Sequence, residues 1–135
     1  MITQKQAQLV YGSLLGDAHM RISGRCRYPR FTVRHSVKQS ELVKSKYEVL
    51  KDLVGTPPKL QLNSQGWGGH QLAFNTLSNP DFSIVLKTCF PNGVKTVTEE
   101  WLSIIKEPGL AWWFMDDGSK QKAGVRISTE GFSRQ

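Results

Sequence analysis

The chain has 135 residues, enough for one domain with a core of its own. Its 18 Lys and Arg exceed its 11 Asp and Glu, and the resulting net charge of +7 favours a polyanionic partner such as nucleic acid. The two cysteines have no metal-ligand spacing, and no apolar run approaches the ~20 residues of a membrane span, which argues against a zinc site and a membrane helix.

The first part of the chain predicts a helix, two strands and a second helix. Thr3 and Gln6 form a capping box that starts a helix running to about Gly16. The segments MRIS and YPRFTVRHS then predict two strands around the turn GRCR. Apolar residues recur at helical spacing from about Ser36 to Val54, after which a glycine and two prolines end the second helix.

The same order then begins again. KLQLN and HQLAFNTL predict a second pair of strands, and Asn79 caps a third helix with Pro80 at its first position. A short helix follows from about Thr98 to Ile105, and Pro108 opens a helix with the sequence LAWWFMDD. GVRIST predicts one more strand near the end. Strand pairs that alternate with helices indicate an α+β protein with a second round shorter than its first.

Each predicted strand has one apolar and one polar face, because successive side chains point to opposite sides. In RFTVR, for example, Arg30, Thr32 and Arg34 alternate with Phe31 and Val33. The strand segments contain no Asp or Glu, and their polar residues suit base edges: Arg or Lys for guanine, Gln or Asn for adenine. An ordinary solvated sheet face is the alternative. The candidate DNA-binding residues are Arg21, Arg30, Thr32, Arg34, Lys59, Gln61, Asn63, Gln71, Asn75, Lys120, Arg126 and Ser128.

The helix LAWWFMDDG ends in two adjacent carboxylates, Asp116 and Asp117. Negative charge near a helix C-terminus is unfavourable by up to about 1 kcal/mol, so the acids either cap the next turn or hold something positive. VYGSLLGDA, near the N-terminus, has the same length and carries Asp17 in the same eighth place. This match indicates an internal repeat of two structural halves.

Gly12 and Gly16 lie four residues apart, on one face of the first of these helices, so another backbone can approach closely there. Two such helices side by side would bring Asp17 and Asp117 together at their ends. Carboxylates and backbone carbonyls are hard oxygen ligands that suit Mg²⁺. Two metal ions on two acids would flank a scissile phosphate, activating water on one side and stabilising the leaving oxygen on the other.

The two segments resemble the paired LAGLIDADG motifs of single-chain homing endonucleases: VYGSLLGDA is similar to the first motif and LAWWFMDDG to the second. KTV places Lys95 where such enzymes carry a basic residue, and STEGFS resembles the strand-to-helix junction after the second motif. The resemblance implies an αββαββα half with a saddle-shaped antiparallel sheet, plus an incomplete second half. We expect the first half at residues 1–106 and the start of the second at residues 107–135.

The resemblance further implies a site-specific DNA endonuclease that hydrolyses phosphodiester bonds with Mg²⁺, for which Mn²⁺ can substitute. Asp17 and Asp117 would be catalytic metal ligands, helped by the carbonyls of Gly16 and Asp116. Lys95 would polarise the scissile phosphate or position water; the alternative is one more surface lysine.

Two other functions stay open. One is an RNA-binding maturase or ribonucleoprotein component of the same fold, which would hold structured intron RNA without nuclease activity. The other is a truncated remnant without activity, since the second half is short. The expected partners are double-stranded DNA and a complementing chain or missing C-terminal segment, with no membrane. Proteins of this type are often intron-encoded in organelles, so the mitochondrion and chloroplast are candidate compartments of an intracellular protein.

Overall fold

The computed structural model describes residues 2–22, 24–61 and 70–120, and only the backbone of residues 117–120. The predicted strand GVRIST, with Arg126 and Ser128, lies outside this part of the chain, as does Asn63. The helices described are α1 (Gln4–Leu15), α2 (Ser40–Leu50), α3 (Phe82–Cys89), α4 (Glu99–Ile104) and α5 (Glu107–Lys120). The strands described are β1 (His19–Arg21), β2 (Arg30–Ser36), β3 (Lys59–Gln61) and β4 (Gln71–Asn75).

The predicted αββαββα order is confirmed from α1 to α3. α1 starts at the predicted capping box: the Thr3 hydroxyl accepts from the Gln6 amide at 3.1 Å, and the Gln6 side chain accepts from the Thr3 amide at 2.9 Å. Leu9, Val10 and Leu14 of this helix are fully buried. α1 packs against α2, α4 and α5, which makes it the central helix of the described structure.

The four strands form one antiparallel sheet in the order β1–β2–β4–β3. Its apolar face carries Met20, Phe31, Val33 and Phe74, all buried, as the predicted alternation requires. α2 covers this face, packing on both β2 and β4. Trp101 of α4 completes the core, and its indole N–H donates to the Tyr11 carbonyl at 3.2 Å.

The structure differs from the predictions at three element boundaries and in the burial of one residue. The predicted helix from Ser36 to Val54 has only α2 as α-helix, flanked by short 3-10 turns. α3 begins at Phe82 because Asn79 caps a turn, its side chain accepting from the Asp81 amide at 2.9 Å. Leu60, expected under a helix, is 57% exposed at the sheet edge. α5 runs on to Lys120, so its acids do not lie at its end.

α1 and α5 approach each other at two glycines. A Cβ on Gly12 would overlap the Gly109 carbonyl and lie 2.9 Å from its carbon atom. The buried Gln8 side chain lies one turn away and accepts from the amides of Lys106 (2.7 Å) and Gly109 (3.2 Å). The predicted close helix contact at Gly12 is therefore present, and Gln8 satisfies amides at the start of α5. None of the described helices has the length and hydropathy that a bilayer crossing requires.

Candidate active site

Asp17 lies in the turn that joins α1 to β1. α1 ends because Gly16 leaves helical geometry, with φ −98° and ψ −123°. The turn is closed by two hydrogen bonds to the Ser13 carbonyl, from Gly16 at 2.9 Å and Ala18 at 3.1 Å. Asp17 is exposed, and His19, two residues later, lies opposite Thr32 on the polar face of the sheet. The turn therefore presents Asp17 at the border of that face.

Lys95 reaches the same turn from the segment between α3 and α4. Its ammonium group donates to the carbonyl oxygens of Ala18 at 3.1 Å and Gly16 at 3.4 Å. The side chain is exposed, so the charge is accessible from solvent. Sequence reasoning chose Lys95 by resemblance alone, and the structure brings its ammonium to the turn of Asp17. Its role in catalysis stays a prediction.

Asp116 is fully buried beside this turn. Its Oδ1 accepts from the ammonium of Lys46 at 2.7 Å and lies 3.5 Å from Nε2 of His35. Its Oδ2 accepts from the backbone amide of Asp17 at 3.4 Å. Lys46 is fully buried too, so the positive group held by this acid is a protein ammonium. The side chain of Asp117 is not among those described.

The electrostatics of this buried group follow from its neighbours. Burial alone would raise the pKa of Asp116, but the hydrogen bond from His35 and the charge of Lys46 together hold that pKa below its usual value. Burial also lowers the pKa of Lys46, and the attraction of Asp116 opposes this without cancelling it. Loss of either partner would leave an uncompensated charge in the interior.

Sequence reasoning missed Lys46 and His35, although both carry a signal. His35 takes the place of an apolar residue, since it follows Phe31 and Val33 on the inward-facing positions of β2. Lys46 falls on the buried stripe of α2 with Val43 and Leu50. A basic residue in a buried stripe indicates a buried acid elsewhere in the fold.

The donors at the Asp17 turn suit a hard divalent cation. The carbonyl of Gly16 lies outside helical geometry, and the carboxylate of Asp17 is exposed, so two hard oxygen donors come from adjacent residues. The carbonyl of Asp116 lies within α5, where such oxygens normally accept from the amide four residues on. Within the described residues no cluster of three His, Cys, Asp or Glu side chains forms a metal site.

The polar face of the sheet carries most of the predicted DNA-binding residues. Cross-strand pairs place Arg21 opposite Arg30, Thr32 opposite Asn75, and Gln61 opposite Gln71. Arg34 and Lys59 both lie opposite Ala73, on its two sides. The described residues of this face include no Asp or Glu. The structure therefore gathers eight predicted residues on one surface: Arg21, Arg30, Thr32, Arg34, Lys59, Gln61, Gln71 and Asn75.

This surface has two recesses that share Arg30 and Asn75. One, of about 230 Å³, is also lined by Lys59 and Gln61; the other, of about 100 Å³, by Arg21 and Thr32. Nε of Arg30 is buried without a hydrogen-bond partner in the described part of the chain. The Thr32 hydroxyl donates to Oδ1 of Asn75 at 2.6 Å. Both recesses therefore include polar and basic side chains in their lining.

The sequence matches the profile of the LAGLIDADG DNA endonuclease family over residues 7–135. The chain belongs to this family. It is 30% identical to the DNA endonuclease I-ChuI of Chlamydomonas applanata, covering 98% of this chain and 68% of I-ChuI. It is 25% identical to the cytochrome b mRNA maturase bI2 of Debaryomyces hansenii, over 98% of this chain and 52% of the maturase.

A solved structure shows the LAGLIDADG fold directly. The homing endonuclease I-WcaI, bound to its DNA recognition sequence, matches with a TM-score of 0.75 at 23% identity, over 87% of this chain and 52% of that one. The family prediction and the predicted fold are confirmed, and the comparisons support an endonuclease better than an RNA-binding protein. This chain spans about half the length of I-WcaI and of the maturase. Endonucleases of this family generally use divalent metal.

Proposed function

We propose that this chain forms the first half and the start of the second half of a site-specific DNA endonuclease that hydrolyses phosphodiester bonds with Mg²⁺. One observation carries the proposal: exposed Asp17, with the Lys95 ammonium at its turn, borders a basic sheet face without acids among its described residues. A catalytic acid beside a surface that attracts phosphates is the arrangement that cleavage of a polyanion requires.

The sheet face binds and orients the substrate. Arg21, Arg30, Arg34 and Lys59 attract phosphates and release condensed counterions, while their donors and those of Gln61 and Asn75 reach base edges. Arg30, Arg34 and Asn75 stand on the central strands β2 and β4, and so on a rigid platform. The partner proposed is double-stranded DNA, which places the protein in a DNA-containing compartment of the cell, the mitochondrion and the chloroplast included.

The residues that would carry out phosphodiester hydrolysis lie at the Asp17 turn. The carboxylate of Asp17 and the lone pair of the Gly16 carbonyl that the Lys95 hydrogen bond leaves open would hold a divalent ion, with Asp117 as the second acid. When bound, this ion supplies a Lewis acid at the scissile phosphate and lowers the pKa of its water. Lys95 adds positive charge on the same side, where it stabilises the charge that develops on the phosphate oxygens.

RNA binding is the second candidate function, and one observation favours it. A relative named as an mRNA maturase is similar over 98% of this chain. A basic, acid-free sheet face attracts the phosphates of intron RNA as it attracts those of DNA. Competition between a selected DNA duplex and intron RNA separates the two candidates, since the DNA endonuclease proposal requires that DNA binds more tightly at equal salt.

The first prediction tests the acids. Asp17→Asn and Asp117→Asn should each abolish cleavage of a duplex selected from a random library, because an amide offers a metal only a dipole in place of a full charge. Binding in Ca²⁺ should stay largely intact, since it rests on many phosphate and base contacts. Cleavage is measured with Mg²⁺ and Mn²⁺, for this chain alone and for the chain joined to the second half of a relative.

Glu48→Gln is the matched control, because Glu48 is an exposed acid of α2, on the opposite side of the sheet. It should cleave as the parent does. The nuclease proposal fails if the unsubstituted protein, both alone and joined to the second half of a relative, binds the selected duplex but never cuts it. RNA binding would then be the better proposal.

A further inference from the structure

A buried carboxylate contacts the Asp17 turn, and side chains from two other elements contact that carboxylate. Asp116 comes from α5, Lys46 from α2 and His35 from β2, and at most 3% of each of these residues is exposed. We propose that Asp116 is a positioning residue: through its carboxylate it fixes the backbone of Gly16 and Asp17, and so the direction in which they present their metal-binding oxygens. The metal-binding part of this inference rests on the proposed function, whereas the contacts of Asp116 with the turn do not depend on it.

Both oxygens of the Asp116 carboxylate are engaged inside the protein. Oδ1 binds Lys46 at 2.7 Å and faces His35 at 3.5 Å, while Oδ2 accepts from the Asp17 amide at 3.4 Å. The first contact is a short charge-assisted bond between two fully buried groups. The carboxylate is therefore oriented by Lys46 and His35 towards the turn, and it is not presented to solvent as a ligand.

The turn is in direct contact with this carboxylate. A Cβ on Gly16 would lie 2.6 Å from Oδ2 of Asp116 and 2.7 Å from its Cβ, so only glycine fits at this position. Gly16 is also the residue at which α1 leaves helical geometry. The position of the Asp17 backbone is thus set by α5 through Asp116, not by α1 alone.

Stability by itself does not explain a charged group here. A buried ion pair is weak evidence for stability, since apolar residues of similar volume often serve as well or better. What a carboxylate supplies, and a leucine cannot, is an acceptor for the Asp17 amide. Lys46 and His35 allow that acceptor to stay ionised in the interior. The group is therefore suited to orienting the backbone of the catalytic turn.

The test removes the charge pair as a whole. The double variant Lys46→Met/Asp116→Leu replaces both partners with apolar groups, so the fold should persist with a similar melting temperature. The Asp17 amide loses its acceptor, and its hydrogen exchange, resolved by NMR, should accelerate about tenfold, as loss of one hydrogen bond to a charged group implies. In the form that cleaves, the Mg²⁺ concentration for half-maximal rate should rise while the Kd for DNA stays unchanged.

Lys46→Leu/Asp116→Met provides a second variant in case the first double variant does not fold. It also removes both charges, so no buried charge is left unpaired. The Asp17 amide again loses its acceptor and should exchange faster. Asp52→Asn is the matched control: that carboxylate also contacts α1, accepting from the Gln6 side chain at 2.7 Å, but far from the turn. In the Asp52→Asn variant, the Asp17 amide should exchange at the same rate as in the unsubstituted protein.

Unchanged Asp17 exchange in the variant that folds would overturn the positioning role, and would leave Asp116 as a packing residue only. This readout needs no DNA, metal or cleavage. Failure of the nuclease proposal and failure of the positioning role are therefore observed separately.

Discussion

The two sides of the four-stranded sheet differ in whether their positively charged side chains are paired with acids. On the inner side, Lys46 of α2 is fully buried, 2.7 Å from the carboxylate of Asp116. On the outer face Arg30, Arg34 and Lys59 line a surface whose described residues include no acid. The change occurs within one step of β2, because Arg34 points outward while His35 points to the buried pair.

This difference indicates whether a basic side chain contributes to folding or to binding. A cation in the interior must be paired, because removal from water costs several kcal/mol per ion. A cation on the outer face keeps its hydration until a polyanion replaces it, so it contributes binding energy and little folding energy. Substitutions of basic residues should therefore change stability on one face and affinity on the other.

The largest expected effect is on the inner face. Lys46→Met should lower the free energy of unfolding by about 3–5 kcal/mol, because the Asp116 charge would stay buried without its partner. Urea unfolding followed by circular dichroism measures this change. Lys44→Met is the matched control on the same helix, exposed to solvent, and should lie within about 0.5 kcal/mol of the parent. Equal losses in both variants would show that the buried pair has no special weight.

The sequence predicted which strand residues lie on each face of the sheet, but not the buried contact between Lys46 and Asp116. Local patterns sufficed for the capping box of α1 and for the alternation that separates Phe31 from Arg30 in β2, because each depends on residues a few positions apart. The contact between Lys46 of α2 and Asp116 of α5 spans 70 positions of the chain, so no local pattern contains it. The exposure of Leu60 was missed for the same reason, because burial of its side chain depends on which elements pack against the edge of the sheet.

The candidate site shows the same division. Asp17 and Lys95 were predicted from motifs, and the structure brings Lys95 to within 3.4 Å of the Gly16 carbonyl. Asp116 was predicted to contribute its carbonyl, and nothing in LAWWFMDDG indicates that its carboxylate is buried. That fact depends on Gly16, which leaves room for the side chain, and on Lys46, which neutralises it. Tertiary packing, and not the motif, determines that the carboxylate of Asp116 is buried.

The next effect is on the outer face and concerns affinity. The double variant Arg30→Ala/Arg34→Ala should weaken binding to a selected duplex and reduce the slope of log K against log salt by about 2, if each arginine neutralises one phosphate. The melting temperature should hardly move. Fluorescence anisotropy at several salt concentrations measures the slope, and Lys44→Ala, on the helix side of the sheet, is the control. A slope identical to that of the parent would mean that this face is not the binding surface.

The smallest effect concerns which base the outer face prefers. Thr32 and Asn75 form a cross-strand pair in which the hydroxyl donates to Oδ1 of the amide at 2.6 Å. With Oδ1 of Asn75 already accepting one hydrogen bond, the recess is richer in donors, namely the NH₂ group of Asn75 and the guanidinium groups of Arg21 and Arg30. A recess rich in donors suits the two acceptors of guanine, N7 and O6, whereas adenine needs a donor and an acceptor from one amide.

Thr32→Val should therefore free Oδ1 of Asn75 and shift the preference at the contacted base pair from guanine towards adenine, by about 1 kcal/mol, the lower end of what a bidentate pair contributes. Total affinity should change less than in the arginine variant, because no charge is lost. Selection of duplexes randomised at single positions measures the shift. Thr32→Ser keeps the hydroxyl and should keep the parent preference, so the same base profile for Val and Ser would show that this hydrogen bond does not control recognition.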